Sequence, residues 1–140
     1  MKRLLYFALL LLPLFAFKCS ESVSGGADEL NSNTKWVLEK FGDETAQVPE
    51  GVETPYLKFD LNEKKLNGFG GCNNFFGNFF IKGDMLNISE LGSTKKYCEN
   101  SAPLEDRLMV ALRAANTFKV KDSVLTLLQD SDEVAQFKAE

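Results

Sequence analysis

Cys72 and Cys98 are the residues best placed to do covalent chemistry, and their surroundings limit what that chemistry is. Cys72 lies inside Gly68-Phe69-Gly70-Gly71-Cys72-Asn73-Asn74-Phe75-Phe76-Gly77. Cys98 ends Ser93-Thr94-Lys95-Lys96-Tyr97-Cys98. In an oxidising compartment such a pair is expected to form a disulfide, tying a glycine-rich strand to the segment ahead of a helix. Two buried thiols, each acting as a small hydrophobe, is the competing reading. A nucleophilic Cys72 needs a lowered pKa and normally a neighbouring base, and the chain has no histidine. Two cysteines without histidine also cannot complete a structural zinc site. No catalytic residue, metal or cofactor is therefore expected.

The residues around Cys72 offer weaker chemistry. Gly68, Gly70 and Gly71 could present backbone N–H groups to an anion. The loop holds no lysine and no helix follows it directly, so a strained turn or barrel corner is favoured. Asn73 and Asn74 could grip a ligand through their amides. Satisfying backbone groups where the strand turns or bulges is the favoured role. Phe69, Phe76, Phe79 and Phe80 are the candidates for a binding feature. In an extended chain Phe75-Phe76 and Phe79-Phe80 point to opposite faces. The expectation is one core phenylalanine and one under the helix in each pair, with an exposed aromatic patch as the alternative.

Carboxylates are scattered. Glu99, Glu105 and Asp106 gather near a helix start, where the helix dipole accounts for them. A pocket uniting Glu99, Glu105, Lys95 and Cys98 would instead point to a hydrolase. Asp130 and Asp132 read as turn residues, because a calcium-loop spacing does not continue after them.

The elements that must position these groups are mostly strands. Residues 34–41 read as a first strand with Trp36 and Leu38 on one face. Residues 56–61 and 65–70 read as a hairpin, as do 78–81 and 85–88 about Lys82-Gly83-Asp84. Residues 117–120, 124–128 and 133–138 supply three more strands. Residues 103–116 have helical spacing instead, through Leu104, Leu108, Ala111, Leu112 and Ala115. Pro103 suits a first turn, Glu105 its positive end and Arg113 its negative end. Many short strands with regular turns suggest a barrel or sandwich, whose face or mouth the helix closes.

The N-terminus has a different character. Met1-Lys2-Arg3 precedes the apolar run 4–17, which is too short to span a bilayer. It reads as an export signal over residues 1–18. Cys19 follows at once, in the position of a lipidated bacterial lipoprotein cysteine, and Ser20 suits passage to the outer membrane. Residues 19–33 read as a flexible tether, and 34–140 as one folded domain. Of 16 basic and 20 acidic residues, three basic ones fall in the signal, so the remainder carries 13 against 20, a net −7. That balance disfavours nucleic acid as a partner.

The chain resembles the META/HslJ family from Trp36 to Phe137. The resemblance rests on Trp36-x-Leu38, Leu57-x-Phe59-Asp60 and Gly68-x-Gly70-Gly71-Cys72-Asn73-x-Phe75-x-Gly77. It continues through Leu86-x-Ile88, Ser93-Thr94 with Cys98, Glu105, Leu125-x-Leu127 and Phe137. It implies a small, partly open antiparallel β-barrel of lipocalin-like topology with one packed helix. It also implies an envelope lipoprotein facing the periplasm and linked to stress tolerance. No enzymatic activity comes with it. Where the family often has methionines between Thr94 and Cys98, this chain has Lys95, Lys96 and Tyr97. The expected function is binding of another envelope component. The alternative is carriage of a small hydrophobic ligand in the barrel or at its mouth.

Overall fold

The computed structural model describes residues 27–140. The expected signal (1–18), Cys19 and the first part of the tether lie outside the described residues.

Nine strands carry the domain: β1 Trp36–Phe41, β2 Glu44–Thr45, β3 Tyr56–Asp60, β4 Lys65–Phe69, β5 Asn74–Lys82, β6 Met85–Ser93, β7 Thr117–Lys121, β8 Val124–Gln129 and β9 Asp132–Ala139. From β3 onward each strand pairs with its neighbour in sequence, β3 also pairs with β1, and β9 returns to pair with β1. Every pairing is antiparallel. The sheet thus closes in a near-ring, which leaves few unpaired edges. The weakest seam lies between β6 and β7, which share the one register pair Met85↔Thr117. The single α-helix among the described residues, α1 Ala102–Ala114, is inserted in the chain at this seam. It packs against β6, β8 and β9. The expected mainly-β barrel with one helix is the fold observed.

Alternation explains why these segments are strands. Along β3, Leu57 and Phe59 are fully buried while Tyr56, Lys58 and Asp60 face outward. Leu66 on β4, Phe118 on β7 and Phe137 on β9 repeat the inward half of the pattern. Trp36, Leu38, Phe75, Phe79, Leu125 and Leu127 fill the space between them. Phe59 and Phe79 meet edge to face with ring centroids 5.0 Å apart. Each such side chain contributes roughly 1.5–3 kcal/mol relative to exposure. Trp36 Nε1 is the one buried side-chain polar atom without a partner among the described residues.

The helix buries Leu104, Leu108, Met109, Ala111 and Leu112 on one stripe. Arg107 leaves the edge of that stripe and reaches the β1–β2 hairpin. Its Nη2 donates to Glu44 Oε2 at 2.6 Å, and its guanidinium lies 4.7 Å from the Phe41 ring centroid. The ion pair is exposed, so it orients the helix more than it stabilises it.

Three boundaries differ from the sequence expectation. The strand expected at 78–81 begins at Asn74, and the one expected at 85–88 continues to Ser93. A bulge in β6 between Ser89 and Gly92 breaks the alternation of that strand, whereas β5 alternates along its whole length and its start adjoins the glycine-rich turn. The two-residue β2 has too little length to leave a pattern. Finally, residues 27–33 of the expected tether include a 3-10 turn, Ala27–Leu30, whose Leu30 is fully buried. Asn33 N also donates to Phe59 O at 3.0 Å. The folded unit therefore begins before the expected position 34, because one leucine finds the core.

Candidate functional site

The turn between β4 and β5 is where the glycine-rich motif does its work, and each glycine answers a different constraint. A Cβ on Gly68 would fall on the Phe75 ring and the Tyr56 carbonyl oxygen. A Cβ on Gly70 would stand 2.8 Å from Glu105 Cγ. Gly71 alone of the three has a left-handed backbone, with φ +107°, a conformation that penalises any Cβ. The strain expected of the turn is thus at Gly71, while Gly68 and Gly70 are matters of close approach.

These approaches bring Asn73 into a junction of three segments. Asn73 is 7% exposed. Its backbone N–H donates to Glu105 Oε2 at 2.7 Å, and its Nδ2 donates to Glu105 Oε1 at 3.0 Å and to Lys96 O at 3.2 Å. Its Oδ1 accepts from Thr94 Oγ1 and from Lys96 N, both at 2.7 Å. Its own carbonyl accepts from Gly70 N at 2.8 Å. One side chain thus links the glycine turn, the strip after β6 and the first turn of α1. The Cys72–Cys98 disulfide ties the same turn and strip, with Cα atoms 6.0 Å apart. Asn74, in contrast, is exposed and simply starts β5.

Glu105 does more than face the helix dipole: both of its oxygens are taken by Asn73. Cys98 is bonded to Cys72. A cleft of about 380 Å³ lies above this junction and includes Lys95, Lys96, Tyr97, Asp106 and Arg113. Glu99 is not among its walls. The four-residue grouping that would have suggested hydrolysis is not assembled.

The candidate binding phenylalanines separate sharply. Phe79 is 3% exposed and belongs to the core, so it presents nothing to a partner. Phe75 is equally buried. Phe69 is half-buried on the outer face, 6.3 Å from the Tyr56 ring. Phe76 and Phe80 are 53% and 63% exposed. The helix covers neither of them, because it lies on β6, β8 and β9 rather than on the outside of β5. The expectation of a helix-covered second phenylalanine is corrected in favour of exposed rings.

Beside Phe76 the outer face of the sheet is indented. A cavity of about 390 Å³ is lined by Lys65, Asn67, Phe76, Gly77, Asn78 and Glu90. Lys65 Nζ donates to Asn78 Oδ1 at 2.6 Å, and Asn78 Nδ2 donates to Glu90 Oε2. A β-bulge in β6, where the three steps from Gly92 to Ser89 face the two from Phe76 to Asn78, shapes the hollow; a Cβ on Gly77 would stand 3.0 Å from Ser89 O. Within the bulge, Glu90 has φ +52°. Lys65, Asn67, Asn78 and Glu90 carry no motif in the sequence. They meet only through strand register and a bulge, which local patterns do not encode.

Fold and junction together define a small closed antiparallel β-barrel with one helix, knotted at a glycine-rich turn. The META domain model matches residues 28–140, and the chain belongs to that family. Three solved structures share the fold. A protein from Burkholderia xenovorans, solved by NMR, is 24% identical with a TM-score of 0.66, covering 100% of this chain and 98% of its own. A second NMR structure is 20% identical with a TM-score of 0.61, covering 81% and 94%. A DUF4847 family protein from Bacteroides vulgatus ATCC 8482, solved by crystallography, is 18% identical with a TM-score of 0.57, covering 81% and 96%. No curated protein matches the chain.

Proposed function

We propose that this META domain protein is a non-enzymatic binding module of the cell envelope. In this reading it is anchored at the outer membrane by lipid on Cys19, faces the periplasm, and presents the outside of β5 to another envelope component in support of stress tolerance. The observation that carries the reading is the pair of exposed rings, Phe76 and Phe80, on one face of one strand. Solvent-facing phenylalanine gains from being covered, and a clustered apolar surface marks an interaction site more often than scattered apolar residues do. The placement of Cys19 after a basic start and an apolar run supports the anchor.

The alternative, carriage of a hydrophobic ligand inside the barrel, has less support. The interior is occupied by Trp36, Phe59, Phe75, Phe79, Phe118 and Phe137. A barrel of this size is commonly filled by its own side chains.

The test is in-cell photo-crosslinking. A benzophenone amino acid replaces Phe76 or Phe80, and Lys121, exposed at the end of β7, serves as the control position. A discrete adduct from the first two positions and none from Lys121 is the expected result. No adduct, or the same adducts from all three positions, would overturn the reading.

A further inference from the structure

We infer that the cavity beside Phe76 is a saccharide subsite, taking one pyranose ring of a β-linked, gluco-configured glycan. The inference rests on the binding reading above and names the ligand class for that face.

An exposed aromatic ring recognises a sugar by stacking on its apolar C–H face, while polar groups at the rim bond the ring hydroxyls. Both parts are present. Phe76 is 53% exposed and lines the cavity. Its back is seated on Gly92, its partner across the β5–β6 ladder, where a Cβ would meet Phe76 Cε2 at 3.1 Å. The ring is therefore held in place rather than free to swing.

The rim is organised before any ligand arrives. Lys65, Asn78 and Glu90 form a hydrogen-bonded relay along one wall. Asn78 uses both ends of its amide in the relay. Lys65 keeps further N–H donors, and Glu90 keeps a second carboxylate oxygen. The exposed Asn67 adds an amide. Cation, amide and carboxylate together offer donors and acceptors to vicinal hydroxyls, and the opposite charges of Lys65 and Glu90 suit a neutral ligand.

The backbone geometry argues in the same direction. The β-bulge lies in β6 between Ser89 and Gly92 and includes Glu90, a non-glycine residue at φ +52°. Bulges re-aim side chains beside sites, and left-handed non-glycine residues concentrate at them. At about 390 Å³ the hollow lies within the ~300–1,000 Å³ range of small-ligand sites. A flat ring face selects gluco-configured sugars, whose ring substituents are all equatorial. An axial hydroxyl, as in galactose, obstructs one of the two C–H faces and leaves only the other for stacking.

The test is an amide NMR titration of the purified chain with cellotriose, with triacetylchitotriose and, as control, with β-1,4-galactotriose. Shifts confined to Asn67, Phe76 to Asn78 and Glu90 are expected with a gluco-configured probe, at lower concentration than with the control. Phe76→Ala should weaken that binding by roughly tenfold or more, as removal of a central aromatic anchor does. Gly92→Ala, which displaces the ring without deleting it, should also weaken it. Lys121→Ala should leave it unchanged, because Lys121 does not line the hollow. Unchanged amide dispersion elsewhere reports that each variant is folded.

Absence of localised shifts with both gluco-configured probes overturns the saccharide assignment, as does equal binding by Phe76→Ala. If that happens while Phe80 still yields a crosslink in cells, the glycan is wrong and the binding reading stands. If both experiments are silent, both readings fall.

Discussion

The carboxylate of Glu105 grips Asn73 at two nitrogens, the backbone N–H at 2.7 Å and the side-chain Nδ2 at 3.0 Å. The two residues are 32 positions apart, and their contact is what docks the start of α1 onto the turn between β4 and β5. Gly70 makes the approach possible, since any side chain there would occupy the space of Glu105.

Asn73→Ala should destabilise the domain by about 2–4 kcal/mol, because it strands a charged acceptor and the Lys96 N–H at once. Glu105→Gln should cost less, about 1–2 kcal/mol, since its amide keeps one acceptor but turns a second donor toward Asn73. Urea denaturation of both single variants and the double variant measures this. A double-mutant effect well below the sum of the singles is expected, as for residues sharing one network.

Cys72→Ala and Cys98→Ala should lower stability by similar amounts, on the order of 3 kcal/mol, set by the loop that the disulfide closes. The double variant should add little to either. Equilibrium unfolding under non-reducing conditions decides this, and clear additivity would show that the bond contributes nothing.

The glycines should rank in a definite order. Gly68→Ala should be the worst, because one of its neighbours is the Tyr56 carbonyl, which cannot move cheaply; overpacking of this kind costs about 1–3 kcal/mol or more. Gly71→Ala should cost about 1 kcal/mol through its positive φ. Gly92→Ala should be the mildest, since it meets only the far end of an exposed side chain. Thermal denaturation of the three variants gives the order directly.

Phe79→Ala and Phe80→Ala are adjacent changes with opposite expectations. The first empties core space beside Phe59 and should cost about 3–5 kcal/mol. The second removes a solvent-facing ring and should stay within about 0.5 kcal/mol. Similar losses for both would mean that Phe80 is covered in solution.

If Cys19 is the lipid anchor, the protein extracted from its own membranes has added acyl mass on a chain that starts at Cys19. The Cys19→Ser variant should then leave the membrane fraction. Intact-mass measurement checks the first point and fractionation the second.

The outline of the barrel was legible because its information is local. Period-two alternation marks β3, β4 and β7 to β9, and the 3.6-residue stripe of Leu104, Leu108 and Leu112 marks α1. The Cys72–Cys98 pairing was the expectation once the N-terminus was read as an export signal, with two buried thiols as the competing reading. Where the alternation is interrupted by the bulge at Glu90, the end of β6 was not readable.

By itself, then, the amino-acid sequence determined the strand-rich class, the one helix and the motif by which the chain resembles its family, and it set the expectation of the disulfide. Only the tertiary structure decided which glycine is left-handed, which member of each phenylalanine pair is exposed, and that Glu105 belongs to Asn73. The physical reason is range. Alternation and helical periodicity are set by neighbours a few residues away, whereas the Asn73 junction and the Phe76 cavity join groups from separate elements. Their meeting depends on strand register, one bulge and the docking of a helix, quantities fixed only when the whole ring closes.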